Sequence, residues 1–446
     1  MISIASLFTA AILLITARIV TGTTDPALAR HRASWGATIA LAVAVIFLVL
    51  DVLSGHPTSR VLGFDIGVLP YGLLAPTNLV TCALGLLTVS MSPLATHPPA
   101  TLGRILVLLA IAVAFIATQS AAALALLWGL SGWVAWRELR SKTETHATAR
   151  LFARFQVPST VLMLAGGVLF AVDAPLPAVI VCLLSIAIRE ATIPVHGWFP
   201  TFVQRAPLGL VVAFIAPQLG VYAHVLLLSG IVPVGLAHGV AILGAVTAVL
   251  AAGLGVVQSD ARRALAFLVM SQTGLVAFGL ENASIVARSG ALVTWQVLAL
   301  ATSGFAMTMA ALEARRGTLS LRAASGSFER TPRMAVAFLF LGFASVGLPL
   351  TLGFVAEDLL VQGSSAEFPL MGFALIIATA FNGMTVMRCF FALFSGTRKH
   401  QGERDLTRRE SWALTVVMAL LLVAGAVPNR LLRLQGDNPI EQRAPD

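Results

Sequence analysis

Apolar residues occupy this chain in blocks of about 20, separated by short polar or Pro/Gly-rich breaks, over almost all of its 446 residues. A block of about that length is what a helix needs to cross the hydrocarbon core of a bilayer. Marking blocks between breaks predicts spans near 3–20, 35–53, 71–91, 102–117, 121–137, 156–172, 176–190, 208–229, 232–257, 262–280, 288–312, 334–361, 368–395 and 411–428. Two places carry extra punctuation. Only "ATQSA" separates the fourth and fifth spans, and the twelfth contains "GLPLTLG", which argues for two half-helices. The pattern predicts an all-α polytopic membrane protein of about 14 transmembrane helices.

Composition agrees. The chain is 58% hydrophobic and 11% charged, against about 25% charged in soluble domains, with a mean hydropathy of +0.90. A soluble fold is excluded, and counting domains by length does not apply. The net charge of +9 is distributed by side: loops after odd-numbered spans hold 23 of the 29 Lys and Arg, and the opposite side holds Arg60, Arg288, Arg430, Arg433 and Arg443. Basic residues mark cytoplasmic loops, so the odd loops face the cytoplasm and both termini lie outside, in a plasma (inner) membrane. The positive charge is topology, and nucleic acid is no partner. No basic residue precedes the first span, so it reads as an uncleaved helix. Cys82, Cys182 and Cys389 sit inside apolar runs without metal-ligand spacing. No phosphate-binding or zinc motif is present, and no cofactor or metal is expected.

Charge inside an apolar block needs a reason. "IREATIPVHGWFPTF" (188–202) places Arg189 and Glu190 at the end of the seventh span, with Pro194 and Pro200 breaking the helix and His196 between them. "IPVHGWF" (193–199) has a counterpart in "LPLTLGF" (348–354), which carries Pro349 and precedes Glu357 and Asp358. The two stretches are five spans apart, so a repeat of five would run in opposite directions across the membrane, and inverted repeats with discontinuous helices carry ion sites at their breaks. The expected organisation is an N-terminal three-helix segment (1–100), two inverted five-helix repeats (101–230 and 231–396), each with a broken helix, and a last helix with its tail (397–446).

"PVHGWFP" resembles the Pro-x-x-x-Trp-x-Pro break of the antiporter-like subunits of respiratory complex I. "QSDARRALAFLVMSQTG" (258–274) resembles their Gln-x-Asp-x-Lys-Arg-x-Leu-Ala-Tyr…Ser-Gln-x-Gly segment, and "GLPLTLGFVAEDLL" (347–360) their second broken helix. Order, spacing and span count fit over nearly the whole chain. Mrp-type antiporters, membrane-bound hydrogenases and two-component inorganic-carbon uptake systems use the same kind of subunit. The resemblance implies protons passed along the membrane midplane by ionisable groups: a Glu on the fifth span, Lys on the seventh, Lys or His on the eighth and eleventh, and Lys or Glu on the twelfth. Here the fifth-span position in "LLWGLSGW" (126–133) reads Trp128–Gly129, the seventh-span position is Arg189, the eighth falls near Val212 or Ala213, and the eleventh in "VLALATSG" (297–304) has no ionisable group. Glu357 keeps the twelfth.

Lysine can give up its proton in a low-dielectric site, but arginine stays charged; the only lysines, Lys142 and Lys399, lie in loops. A reduced proton path would use Glu190, His196, Glu357 and Asp358, gated by Arg189, with Arg189 and Glu190 neutralising each other when closed. Structural readings stand beside it: Arg189 and Glu190 as a snorkelling boundary pair, His196 as a cap on broken backbone, His224 and His238 as interfacial, Arg262 and Arg263 as topology, Arg388 as partner to a buried acid. Three functions remain open: a proton-translocating subunit of an NADH:quinone oxidoreductase-like complex, the membrane half of a proton-driven inorganic-carbon uptake system, or a non-conducting scaffold. Expected partners are other membrane subunits or a large cytoplasmic protein, the lipid bilayer, and H+ or Na+ as the ion. A self-contained active site is not expected.

Overall fold

The structure, a computed structural model, describes residues 2–54, 60–61, 64–65, 71–118, 120–324, 326, 328–396 and 404–426. Lys399, Gln119 of the "ATQSA" hinge and the outer-side arginines Arg430, Arg433 and Arg443 lie outside them. Helices follow in order as α1 (Ile2–Thr21), α2 (Pro26–Ser54), α3 (Tyr71–Met91), α4 (Pro99–Ala117), α5 (Ala121–Arg140), α6 (His146–Ala171), α7 (Pro175–Arg189), α8 (Phe199–Arg205), α9 (Leu208–Ile215), α10 (Leu219–Leu227), α11 (Val234–Val256), α12 (Ala261–Leu280), α13 (Ile285–Val297), α14 (Ser303–Arg316), α15 (Pro332–Ala344), α16 (Leu352–Ser364), α17 (Met371–Phe394) and α18 (Arg408–Ala426). A π-helical segment, Leu298–Thr302, joins α13 to α14, and a two-residue antiparallel pairing, Arg60–Val61 with Phe64–Asp65, follows α2.

Among the described residues, nine helices are long and apolar enough to cross a bilayer, with shorter apolar ones at Ser6–Thr21, Thr77–Met91, Pro175–Arg189 and Pro332–Ala344. This is an all-α integral membrane protein. Two helices begin well before their apolar blocks: α2 at Pro26 against an expected 35, and α6 at His146 against 156. The added turns carry Arg32, Arg150 and Arg154, all exposed. Backbone hydrogen bonding continues past the hydrocarbon, whereas hydropathy marks only the part inside it.

Polarity runs inside out. Large apolar side chains such as Ile15, Ile46, Val161, Ile180 and Phe373 are exposed on the outer helices, while Thr, Ser, Asn and Gln fill the interior. In the most apolar 18-residue stretch of the α13–α14 crossing 89% of residues are buried, against 28% in those of α2, α6 and α18. Contacts inside depend on small residues. A β-carbon on Gly244 of α11 would sit 2.8 Å from the Gly274 carbonyl of α12, and one on Gly274 2.7 Å from that of Gly244. Close backbone approach of this kind is how helices associate where lipid removes the hydrophobic drive.

Candidate functional site

The first break follows α7. Pro194 has no N–H to continue the helix, Ala191 takes a left-handed backbone (φ +56°), and α8 starts only at Phe199. In a membrane interior each freed backbone group needs a partner. The Trp198 indole donates to the Ile188 carbonyl at 3.0 Å, the Ile193 N–H donates to Thr247 of α11 at 3.2 Å, and Thr273 of α12 donates to the Glu190 carbonyl at 3.1 Å.

Arg189 and Glu190 make no direct contact: no ion pair within 4 Å joins them among the described residues. Consecutive residues on a helix point about 100° apart and do not face one another. Arg189, 3% exposed, turns towards α5 and donates to the Ser131 hydroxyl at 2.9 Å. Its guanidinium lies 4.9 Å from the Trp128 ring centroid and 4.0 Å from that of Phe214. Such contacts contribute about 2 kcal/mol each when desolvated, so the cation is held by aromatic faces and a hydroxyl. The snorkelling alternative fails too, since a side chain this buried has not reached the headgroups.

Glu190 turns the other way and accepts the Gly220 N–H at 3.2 Å. It stands at one end of a cavity of about 250 Å³ between α7, α10, α11 and α12. The walls are apolar (Leu183, Leu243, Val276), with Gln218 and Thr273 as polar points. At the far end His224 Nε2 meets Glu281 Oε1 at 2.8 Å, both side chains buried. His224, expected as interfacial, is thus packed inside the protein near the ends of α10 and α12. Gln218, with a left-handed backbone (φ +39°) between α9 and α10, keeps both amide atoms buried without a partner among the described residues, and His224 Nδ1 does the same. Orphaned polar groups lining a cavity of this size suit ordered water. No local pattern points to the pairing: His224 and Glu281 are 57 residues apart. His238 does sit half exposed, joined to Glu367 at 2.7 Å.

The second break separates α15 from α16, with left-handed Gly347 (φ +89°) and Leu350 (φ +69°) flanking Pro349. Gln272 of α12 donates to the Ser345 carbonyl at 2.6 Å and accepts from Thr302 at 2.7 Å. Glu357 lies on α16 with its carboxylate against Gly347, where any β-carbon would overlap it, and accepts from Thr379 of α17 at 3.0 Å. Asp358 points elsewhere: it is exposed and accepts from Gln362, one turn on, at 2.8 Å. The two acids do not form a pair. His196 is half-buried with Nδ1 unpartnered, and nothing among the described residues joins it to Glu190 or Glu357.

One stretch of α12 ties these parts together. Ser271 accepts from Asn382 of α17 at 2.8 Å, Gln272 reaches the second break, Thr273 the first, and Gly274 meets α11. Other cations have structural work. Arg388, expected to face an acid, donates to the Val256 and Gln258 carbonyls at the end of α11. Arg262 pairs with Glu313 and donates to the Ala206 carbonyl at 2.6 Å, so it does more than set topology. Where the resemblance implied further ionisable groups, Gly129 faces Thr160, Val212 and Ala213 are buried, and 298–302 is the π segment.

Comparison with known proteins gives a consistent set. The sequence family described as "NADH:quinone oxidoreductase/Mrp antiporter, TM" matches residues 102–383. The chain is 25% identical over 329 residues to F(420)H(2) dehydrogenase subunit M of Methanosarcina mazei, covering 71% of this chain and 63% of that one. It is 29% identical over 259 residues to NADH-quinone oxidoreductase subunit 13 of Thermus thermophilus, covering 56% and 54%. It thus spans about half to two thirds of the length of these curated relatives. In fold it is similar to a chain of respiratory complex I from Thermus thermophilus with bound NADH (TM-score 0.84, 21% identity, 99% of this chain and 98% of that one). It is similar also to a chain of the Mrp complex from Dietzia sp. DQ12-45-1b (TM-score 0.84, 16% identity, 98% and 96%).

Proposed function

The chain belongs to the NADH:quinone oxidoreductase/Mrp antiporter transmembrane family, and from that premise we propose that it is a proton-translocating, antiporter-like subunit of a larger NADH:quinone oxidoreductase-like membrane complex, working with a reduced relay. The observation that carries this is the pair of helix breaks inside the bundle, each with a carboxylate beside it: Glu190 at the first, Glu357 at the second. Glu190 also opens onto a cavity that ends at His224 and Glu281. A carboxylate in a membrane interior can take and release a proton, whereas Arg189 stays a fixed cation and cannot serve as a carrier. Redox chemistry belongs to partner subunits.

On this reading α7 with α8, α9 with α10, α13 with α14, and α15 with α16 are single interrupted crossings. That makes fourteen spans with both termini outside an inner membrane, and two inverted repeats at 101–230 and 231–396. A non-conducting scaffold is the second reading, favoured by the absence of ionisable groups at Gly129 and across 298–302. Purifying the tagged chain gently from its native membranes and identifying its companions by mass spectrometry tests the assignment. Quinone-reducing or iron–sulfur subunits are expected; a lone chain, or a single large soluble zinc protein, would overturn it.

A further inference from the structure

A second cavity, about 480 Å³, lies away from both breaks, between the first turns of α2 and α18. Its lining is Arg30, His31, Ser34, Trp35 and Thr38 of α2 with Arg409 of α18. Residues 30, 34 and 38 are spaced four apart and share one face of α2. The arrangement is unfavourable as it stands. Arg30 and Arg409 repel each other, and both occupy the opening turns of helices, where the backbone dipole disfavours cations. Arg409 Nε and the Ser34 hydroxyl are buried without a hydrogen-bond partner among the described residues. Glu410, the neighbouring carboxylate, attracts both arginines at longer range but is already engaged by Arg315 at 2.8 Å and by the Thr407 N–H at 2.8 Å.

A phosphate group resolves all of these at once: it carries the missing negative charge, and its oxygens accept from two guanidinium groups and a hydroxyl. Position says which phosphate. Arg30, His31 and Arg32 precede Trp35, which is 58% exposed, and the apolar Ile39, Val45 and Ile46 follow it on the exposed surface. Basic residues, then an aromatic, then lipid-facing aliphatics is the order met on passing from headgroup to hydrocarbon. We propose that this cavity binds the phosphate headgroup of an anionic phospholipid on the basic side of the membrane, pinning α2 to α18.

The test uses the full-length protein, delipidated in detergent and returned to nanodiscs of phosphatidylcholine with trace phosphatidylglycerol, with bound lipid counted by native mass spectrometry after release. Wild type is expected to retain phosphatidylglycerol in preference to phosphatidylcholine. The R30Q/R409Q variant should weaken that retention about thirtyfold, at about 1 kcal/mol per arginine. R137Q/R140Q, which removes two exposed arginines from the same side, should leave it unchanged. Ser34→Leu keeps both arginines and fills the cavity, so it should lose the lipid while eluting and melting like wild type, which guards against a folding artefact. Equal retention of the two lipids, equal loss in both arginine variants, or displacement by millimolar inorganic phosphate would each overturn the assignment, the last in favour of free phosphate.

Discussion

The two helix breaks use one backbone device and surround it with different charges. At 190–198 and at 345–351 a proline interrupts a helix, residues turn left-handed, and a side chain from a neighbouring segment takes a freed carbonyl: Trp198 to Ile188, Gln272 to Ser345. The first break carries a caged cation, Arg189, beside Glu190 and a cavity ending in the hydrogen-bonded His224 and Glu281. At the second there is a single acid, Glu357, seated under a glycine and held by one threonine hydroxyl. The backbone interruption is thus separable from the charges beside it: one break has a buried cation next to its acid, the other a hydroxyl only.

Isosteric neutralisation is the strongest way to break that comparison. E190Q and E357Q, assayed for proton flux in the assembled complex, should each abolish translocation if the breaks form one path. If E357Q alone is silent, the second break is structural; if both variants conduct normally, the scaffold reading stands. Gly347→Val should come next in size. It forces a branched side chain into a left-handed backbone and into the Glu357 carboxylate, and should destabilise the protein by about 3 kcal/mol, read as a drop in melting temperature in detergent. Trp198→Phe removes the indole bond to the Ile188 carbonyl at the first break, which keeps the Ala191 N–H at 3.3 Å, and should cost about 1 kcal/mol, while the second break keeps its Gln272 bond.

A pH-dependent effect, small near neutrality, concerns the ends of these regions. His97, in the loop between α3 and α4, accepts the Gly209 N–H at 3.1 Å and so anchors α9, just after the first break; Asp405 receives the Arg333 and Met334 N–H groups at the start of α15. Burial pushes His97 down from 6.5 to about 4. A depressed histidine contributes stability in its neutral form, fully present above about 6.5 and lost as pH falls towards 4. Melting temperature should decline across that window in wild type and less so in His97→Gln.

Much of this fold was legible in hydropathy. The expected 71–91 coincides with α3, and 121–137 falls inside α5. Interruptions without loss of apolarity were not legible: 208–229 was expected as one helix but is divided at Gln218, and the π segment 298–302 reads like any other apolar run. Pro194 and Pro349 fall at the interruptions, whereas Pro200, expected as a break, stands in the first turn of α8, where a missing N–H costs nothing. Side-chain direction was hidden. Adjacency in sequence suggested that Arg189 meets Glu190 and that Asp358 doubles Glu357, yet neighbouring residues on a helix diverge. The His224–Glu281 hydrogen bond at the cavity's far end joins segments that no local pattern links.

The stretch Ser271–Gly274 gives α12 the character of a keyed shaft. Four successive residues engage α17, the second break, the first break and α11, at angular steps of about 100°. One residue inserted upstream would turn every key away from its slot together, whereas four inserted residues, a little over one turn, would nearly restore the angles and shift each key about 6 Å along the axis. The two breaks are therefore indexed to a common rotation, and neither half can change its angular setting on α12 without presenting that change to the other.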